Sequence, residues 1–571
     1  MGRGDSGARG LRATRRRTAE ARRGGHRSGR SGRGAPRPGQ GRASGRPRSA
    51  RARGWRARAP PRATGREAGD GGRVLASRPR WSGGARVSGS GRGRRPEDRT
   101  GRVSAARLVA YDVLRDVEDR EAYANLALPA RIREARLGRR EAALATELAA
   151  GTLRGRGRYD RIIELAAGRD IGEIDARTRN VLRLGAHQLL GMRTAAHAAV
   201  NESVELQRRV ANERAAGFVN GVLRAIGRSD AEAWDARIVK AAKHPDDALA
   251  ARSSHPAWVL RALRAALQAE GREGELEQLL AADNVPPRVS LALLPEAGLD
   301  LDTAEALGID LERGEATLTA TGPSPIGLEL AGGDPGRAIA ALDAPAGTVR
   351  VQDQGSQLAA LALSRVRPVG RDERWLDLCA GPGGKTAVLA AEAALAGARV
   401  RANEVSEHRA ELVRGAVVAF EHDVEVVSHD GREDAAFGGA DTRFDRILVD
   451  APCSGLGALR RRPEARWRKQ PQDLPGLTAL QGELLDAAVA HLAPGGVIAY
   501  VTCSPHLAET RVVVGEALKR HPALRELDAR EVLRAIARED LDLAGSAPSA
   551  QLWPHRNGTD AMFIALLALQ R

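Results

Sequence analysis

The chain has 571 residues, 28% of them charged and 3% aromatic, with 90 Lys and Arg against 72 Asp and Glu. That length exceeds what one core can organise, and the absence of any apolar run of about 18 residues excludes a membrane-spanning helix. Three cysteines without a CxxC pair exclude a disulfide framework and a thiolate zinc site, so the expected setting is the cytoplasm, with no membrane and no metal.

Residues 1–100 hold 29 Arg, no Lys and 6 acidic residues, a net +23 that exceeds the +18 of the whole chain and leaves the other 471 residues at −5. Stretches such as RGGHRSGRSGRGAPRPGQGR carry too few aliphatic side chains to offset the entropy of ordering. Residues 1–103 are therefore expected to be a disordered Arg/Gly-rich tail, its guanidiniums attracting nucleic-acid phosphates.

From Ser104 the composition turns helical. AARLVAYDVLRDVE sets Leu108, Tyr111, Val113 and Leu114 near one face, and GFVNGVLRAI repeats the spacing with Phe218, Val219, Val222, Leu223 and Ile226, which predicts an all-α bundle over 104–232. The phrases RNVLRLGAHQLLGM, AAHAAVNESVELQRRV and GFVNGVLRAI resemble the NusB-like RNA-binding domain. Residues 233–349, with many turn residues, read as a small α/β linker module.

Over 350–571, short apolar strands alternate with Ala-rich helices, the pattern of a Rossmann-like α/β domain with a parallel sheet. Strands are expected at 374–379, 398–405, 424–429, 444–450, 496–503 and 561–569. Ligands of such sheets bind at the carboxyl ends of the strands. All three cysteines fall there: Cys379 in DLCAGPGGKT, Cys453 in DAPCSG and Cys503 in YVTCSPH.

The turn Cys379, Ala380, Gly381, Pro382, Gly383, Gly384 and Lys385 lets backbone approach a ligand and leads into a helix N-terminus that receives anions. A P-loop needs glycine where Cys379 stands, and the dinucleotide fingerprint needs glycine where Thr386 stands, so neither fits. A nucleoside carrying an amino acid remains, such as S-adenosylmethionine. Glu404, at the end of the second strand, suits its ribose hydroxyls, and Asp430, after the third, its adenine amino group.

Two thiols after adjacent motifs suggest a pyrimidine substrate. Carbon 5 of cytosine is a poor nucleophile until a thiolate adds at carbon 6, a case of covalent catalysis. Asp450 suits hydrogen bonding to ring nitrogen 3.

DLCAGPGGKT, DAPCSGLG, RRRPEARWR, LAPGGVIAYVTCS and VQDQGSQLAA together resemble the NOL/NOP/Sun family of RNA cytosine-5 methyltransferases, in its bacterial form with a NusB-like domain in front. The resemblance covers 104–571. It implies S-adenosylmethionine as cofactor, held by 379–385, Glu404, Asp430 and Asp450, and small-subunit (16S) ribosomal RNA as substrate, acted on by a monomer. It also implies Cys503 as nucleophile and Cys453 as an aid to product release, with Lys385 bridging the cofactor loop and the reacting centre. Before Pro463 the family usually has His, whereas this chain has Arg462. With Arg460, Arg461, Arg466 and Arg468 it forms a basic run expected to hold RNA phosphates. The alternatives are the same chemistry on transfer RNA, or a non-catalytic antitermination or ribosome-assembly factor.

Overall fold

The computed structural model describes residues 103–570 except 193 and 307–316, so the expected tail lies outside the described residues but for Val103. Seven helices, Ala105–Asp119, Ala124–Glu134, Arg139–Arg154, Arg156–Ala167, Ala176–Leu190, Ala196–Val210 and Ala216–Ile226, make the first core. Val109, Val113, Leu114 and Val117 of the first helix and Val219, Val222, Leu223 and Ile226 of the seventh are buried in it, the stripe that the three-to-four spacing dictates. Asp175 starts one of these helices by accepting from the Thr178 N–H at 3.0 Å. Trp234 and Ile238 of the next helix, Ala231–Ala241, fill the same core, so the boundary expected at 232 falls inside a helix.

Residues 233–349 are no free linker. Helices Pro245–Arg252, Ala257–Gln268 and Leu276–Ala282 share a core with Leu456, Leu459, Trp553 and Ala561 of the C-terminal region. An antiparallel sheet of four strands follows: β1 (Val289–Leu293), β2 (Thr317–Thr319), β3 (Gly327–Ala331) and β4 (Val349–Val351), in the order β2-β3-β1-β4. β4 straddles the boundary expected at 349, because its partner β1 lies upstream.

The larger sheet contains β5 (Arg374–Asp377), β6 (Arg399–Asn403), β7 (Val424–Val427), β8 (Phe444–Asp450), β9 (Leu492–Thr502), β10 (Leu524–Leu527), β11 (Ala550–Gln551) and β12 (Phe563–Leu569). Its order is β10-β12-β9-β8-β5-β6-β7, with β11 paired to β12. The central pairs are parallel, whereas β12 runs antiparallel to β9 and β10. Period-two alternation divides the core between the two faces: Leu448 and Val501 pack on one, Ile447, Val449 and Tyr500 on the other. The switch in strand order beside β5 opens a crevice at the carboxyl ends of β5, β8 and β9. Among the described residues, no helix is long and apolar enough to cross a membrane.

Candidate active site

The Gly-rich loop leaves β5 and enters helix Gly384–Ala396, whose first turn has no side-chain cap. Its first amides therefore have no side-chain cap as acceptor, the condition under which a helix start receives an anion. Gly381 donates its N–H to Glu404 Oε2 at 3.0 Å, and a Cβ at this position would sit 2.4 Å from that oxygen. Glu404 is buried just beyond β6 and faces the loop, with Arg409 within 3.3 Å of its other oxygen. Asp430 lies three residues past β7 and is held by Arg432, which also reaches Glu483. The Arg432 hydrogen bond holds the Asp430 carboxyl below its usual range.

Cys379 is partly buried against apolar neighbours, and desolvation, reinforced by the charges of Asp377, Asp450 and Glu404, pushes its thiol well up. Beneath it Thr386 Oγ1 donates to Asp377 Oδ2 at 2.7 Å, and burial pushes the Asp377 carboxyl up to about 7.

At the neighbouring strand ends the other two thiols meet: Cys453 Sγ and Cys503 Sγ are 3.4 Å apart. The loop after β8 is fastened to the loop after β9, since the Gly457 N–H donates to the Cys503 carbonyl at 2.9 Å. A Cβ on Gly457 would lie 2.0 Å from the Ala561 carbonyl oxygen, so only glycine fits there. Lys385 Nζ donates to Asp450 Oδ2 at 2.7 Å; burial, the largest single influence, opposes its ammonium, but Asp450 together with Cys503 and Asp377 outweighs it and the lysine pKa rises. The hydrogen bond from Cys453 holds the Cys503 thiol below its ordinary value against burial, and Lys385 and Arg462 add to that. The Cys453 thiol moves the other way, raised first by its bond to Cys503 and by burial.

The basic run is corrected in large part. Arg466 is fully buried and donates to the carbonyls of Ser254 (2.9 Å) and Asp283 (3.2 Å) and to Asn284 Oδ1 (2.9 Å); burial brings its pKa down to about 10. Arg461 donates to Asp560 and Asp353, Arg460 to the Gly558 carbonyl, and Arg468 to the Ala122 carbonyl. Each of these four thus has at least one guanidinium donor committed to a protein acceptor. Arg462 alone of the five is exposed, its guanidinium 4.9 Å from the Tyr123 ring centroid.

Sequence reasoning passed over Glu509, Ser454 and Ser504. Glu509 is buried and accepts from both serines, each of which directly follows one of the two paired cysteines. The repeated Cys-Ser dipeptide was the available signal. Among the described residues, no group of three or more His, Cys, Asp or Glu side chains is arranged to hold a metal ion.

A Gly-rich loop on a parallel sheet, an acid at the next strand end and a paired-thiol cleft define a methyltransferase of the Rossmann-like class preceded by an all-helical domain. Residues 366–568 match the family model described as 16S rRNA methyltransferase RsmB/F, and residues 104–228 match the NusB family. A Mycobacterium tuberculosis protein named as a methyltransferase, Rv1407, is 47% identical over 81% of this chain and 96% of its own length. The ribosomal RNA small subunit methyltransferase B of Erwinia tasmaniensis is 31% identical over 81% and 98%, and that of Pseudomonas putida 33% over 74% and 91%. The crystal structure of PH0851 superposes with a TM-score of 0.66 at 20% identity over 82% of this chain and 98% of that one, a likeness of fold. The chain belongs to the RsmB/F family of S-adenosylmethionine-dependent rRNA methyltransferases.

Proposed function

We propose that this protein methylates carbon 5 of a cytosine in small-subunit (16S) ribosomal RNA, with Cys503 as the nucleophile. The observation that carries this reading is the contact between Cys453 and Cys503, 50 residues apart in sequence and 3.4 Å apart in space, beside Lys385 and Asp450. An amino-group methyltransferase has no use for a second thiol at this place.

S-adenosylmethionine fits the crevice on two counts: the buried Glu404 carboxylate held against the Gly-rich loop by the Gly381 N–H, and the uncapped helix start. Residues Cys379 to Lys385 would line it by backbone, Glu404 would take the ribose hydroxyls, and Asp430 and Asp450 would flank the adenine and methyl ends. When bound, it supplies the methyl group that carbon 5 receives.

The chain's own residues do the rest. The Cys503 thiolate adds to carbon 6, forming a carbon–sulfur bond and moving electron density onto carbon 5 and ring nitrogen 3. Asp450, taking a proton from the Lys385 ammonium that donates to it, hydrogen-bonds to nitrogen 3 and so stabilises the negative charge that builds there. Once carbon 5 carries the methyl group its proton passes to water, the carbon 6–sulfur bond breaks and the Cys503 thiolate leaves, with Cys453, in contact with that sulfur, donating a hydrogen bond to it. Arg462 and Tyr123 give phosphate and base a landing point at the cleft edge, the NusB-like domain adds RNA contacts, and residues 1–103 add salt-sensitive attraction.

Bisulfite sequencing of 16S rRNA with and without the gene tests the substrate, and methyl transfer by the two cysteine variants tests the chemistry. Cys503→Ala is expected to abolish transfer without an adduct, and Cys453→Ala to accumulate an RNA-linked protein. Full transfer by Cys503→Ala, or modification on transfer RNA alone, would overturn the reading.

A further inference from the structure

Four donors converge on a carboxylate that lies outside every motif. Glu509 Oε1 accepts from the Ser454 N–H at 2.7 Å and from Gln481 Nε2 at 3.3 Å. Oε2 accepts from Ser504 Oγ at 2.7 Å and from Ser454 Oγ, and the two hydroxyl oxygens are 3.0 Å from each other. The Glu509 carbonyl in turn accepts from Tyr500 Oη at 2.8 Å, so the carboxylate is anchored to β9. Gln481 also donates to the Pro452 carbonyl at 2.8 Å, one residue before Cys453. One side chain thus grips the residue after each thiol.

The charges around the two sulfurs are unlike. Lys385 and Arg462 act on Cys503 and favour its thiolate, although Asp450 opposes them. Glu509 acts on Cys453, where its negative charge adds to the hydrogen bond and burial that disfavour ionisation. These charges favour the thiolate on Cys503 and the thiol on Cys453.

We propose that Glu509 is a positioning residue for methyl transfer: through Ser454 and Ser504 it holds the two cysteine loops in contact, and by its charge it ranks the sulfurs, leaving Cys453 the donor and Cys503 the acceptor of the shared proton. This rests on the roles assigned to the two thiols above. It adds the reason why two chemically identical side chains divide the work in that order.

The test is pulsed alkylation of the full chain with iodoacetamide from about pH 6 to about pH 10, which spans a thiol's ordinary titration, with each cysteine followed by peptide mass spectrometry. Wild type is expected to react first at Cys503. In Glu509→Gln, which keeps the shape and removes the charge, the preference for Cys503 over Cys453 should fall about tenfold, the equivalent of one pH unit. Glu509→Asp should restore part of it. The paired change Ser454→Ala with Ser504→Ala, which keeps the charge and removes both hydroxyl grips, should weaken the preference by about threefold and serves if Glu509→Gln does not fold. A wild-type ratio and unmoved pH profiles in Glu509→Gln, or in the serine pair if only that folds, would overturn the proposal. Because RNA and cofactor are absent from the measurement, its failure is distinct from failure of the cytosine-5 reading, which methyl transfer by the Cys503 variant decides.

Discussion

Lys385 Nζ and Asp450 Oδ2 are joined at 2.7 Å across the crevice, the lysine from the first turn after β5 and the aspartate from the last position of β8. The pair links the loop expected to hold the cofactor to the strand end expected to face the base. Its lysine is nearly buried and its aspartate partly open, with side-chain exposures of 10% and 27%. Lys385→Met is expected to lower the single-turnover methyl-transfer rate by about a hundredfold or more. Because solvent still reaches Asp450, thermal stability should fall by less than about 2 kcal/mol; a rate loss matched by unfolding would contradict a chemical role.

Arg462 and Arg466 are four residues apart and do different work. Arg462 is exposed over Tyr123, so Arg462→Ala should weaken RNA binding and reduce the slope of log K against log salt by about one unit while leaving the melting temperature in place. Arg466→Ala removes three hydrogen bonds inside the protein and leaves their acceptors buried, which should cost about 3 kcal/mol or more of stability by denaturant titration. Equal effects of the two variants on salt slope would refute the assignment.

Gly381→Ala places a methyl group against Glu404 Oε2, 2.4 Å from its Cβ. The loop must yield or the carboxylate must turn away. Calorimetric titration is expected to show S-adenosylmethionine affinity reduced by about tenfold or more, with the circular dichroism of the protein unchanged.

His255 supplies an acid-sensitive joint. It is buried beside Arg466 and Asp283, and burial, with the Arg466 charge adding and Asp283 opposing, pushes its pKa down to about 4. The unfolded chain binds this proton near pH 6.5, so the stabilisation is present above about 6.5 and lost as pH falls toward about 4. Urea titrations across that window should show wild type losing stability relative to His255→Gln as the pH drops. A constant difference would show that His255 does not titrate there.

Much of the catalytic half was legible because its signals are local. The β8 segment spans 444–450 as its apolar run suggested, and each of the three cysteines lies within three residues of a strand's carboxyl end. β10 was missed because Leu524–Leu527 is short and carries Arg525 and Glu526 at its centre; its pairing with β12 supplies what its sequence lacks. Glu509 was missed for a related reason, since its Ser454 partner is 55 residues away.

By itself the sequence determined the Rossmann-like alternation, the Gly-rich turn and the chemical kinds present at the strand ends, because spacing and residue type act over a few residues. The tertiary structure alone decided which arginines stay exposed and which lock the protein together: a guanidinium's fate depends on acceptors such as Ser254 O and Asp283 O, brought to Arg466 from 212 and 183 residues away. It also decided that the two thiols touch, because a sulfur–sulfur contact is set by the packing of adjacent strand ends and not by the order of residues along the chain.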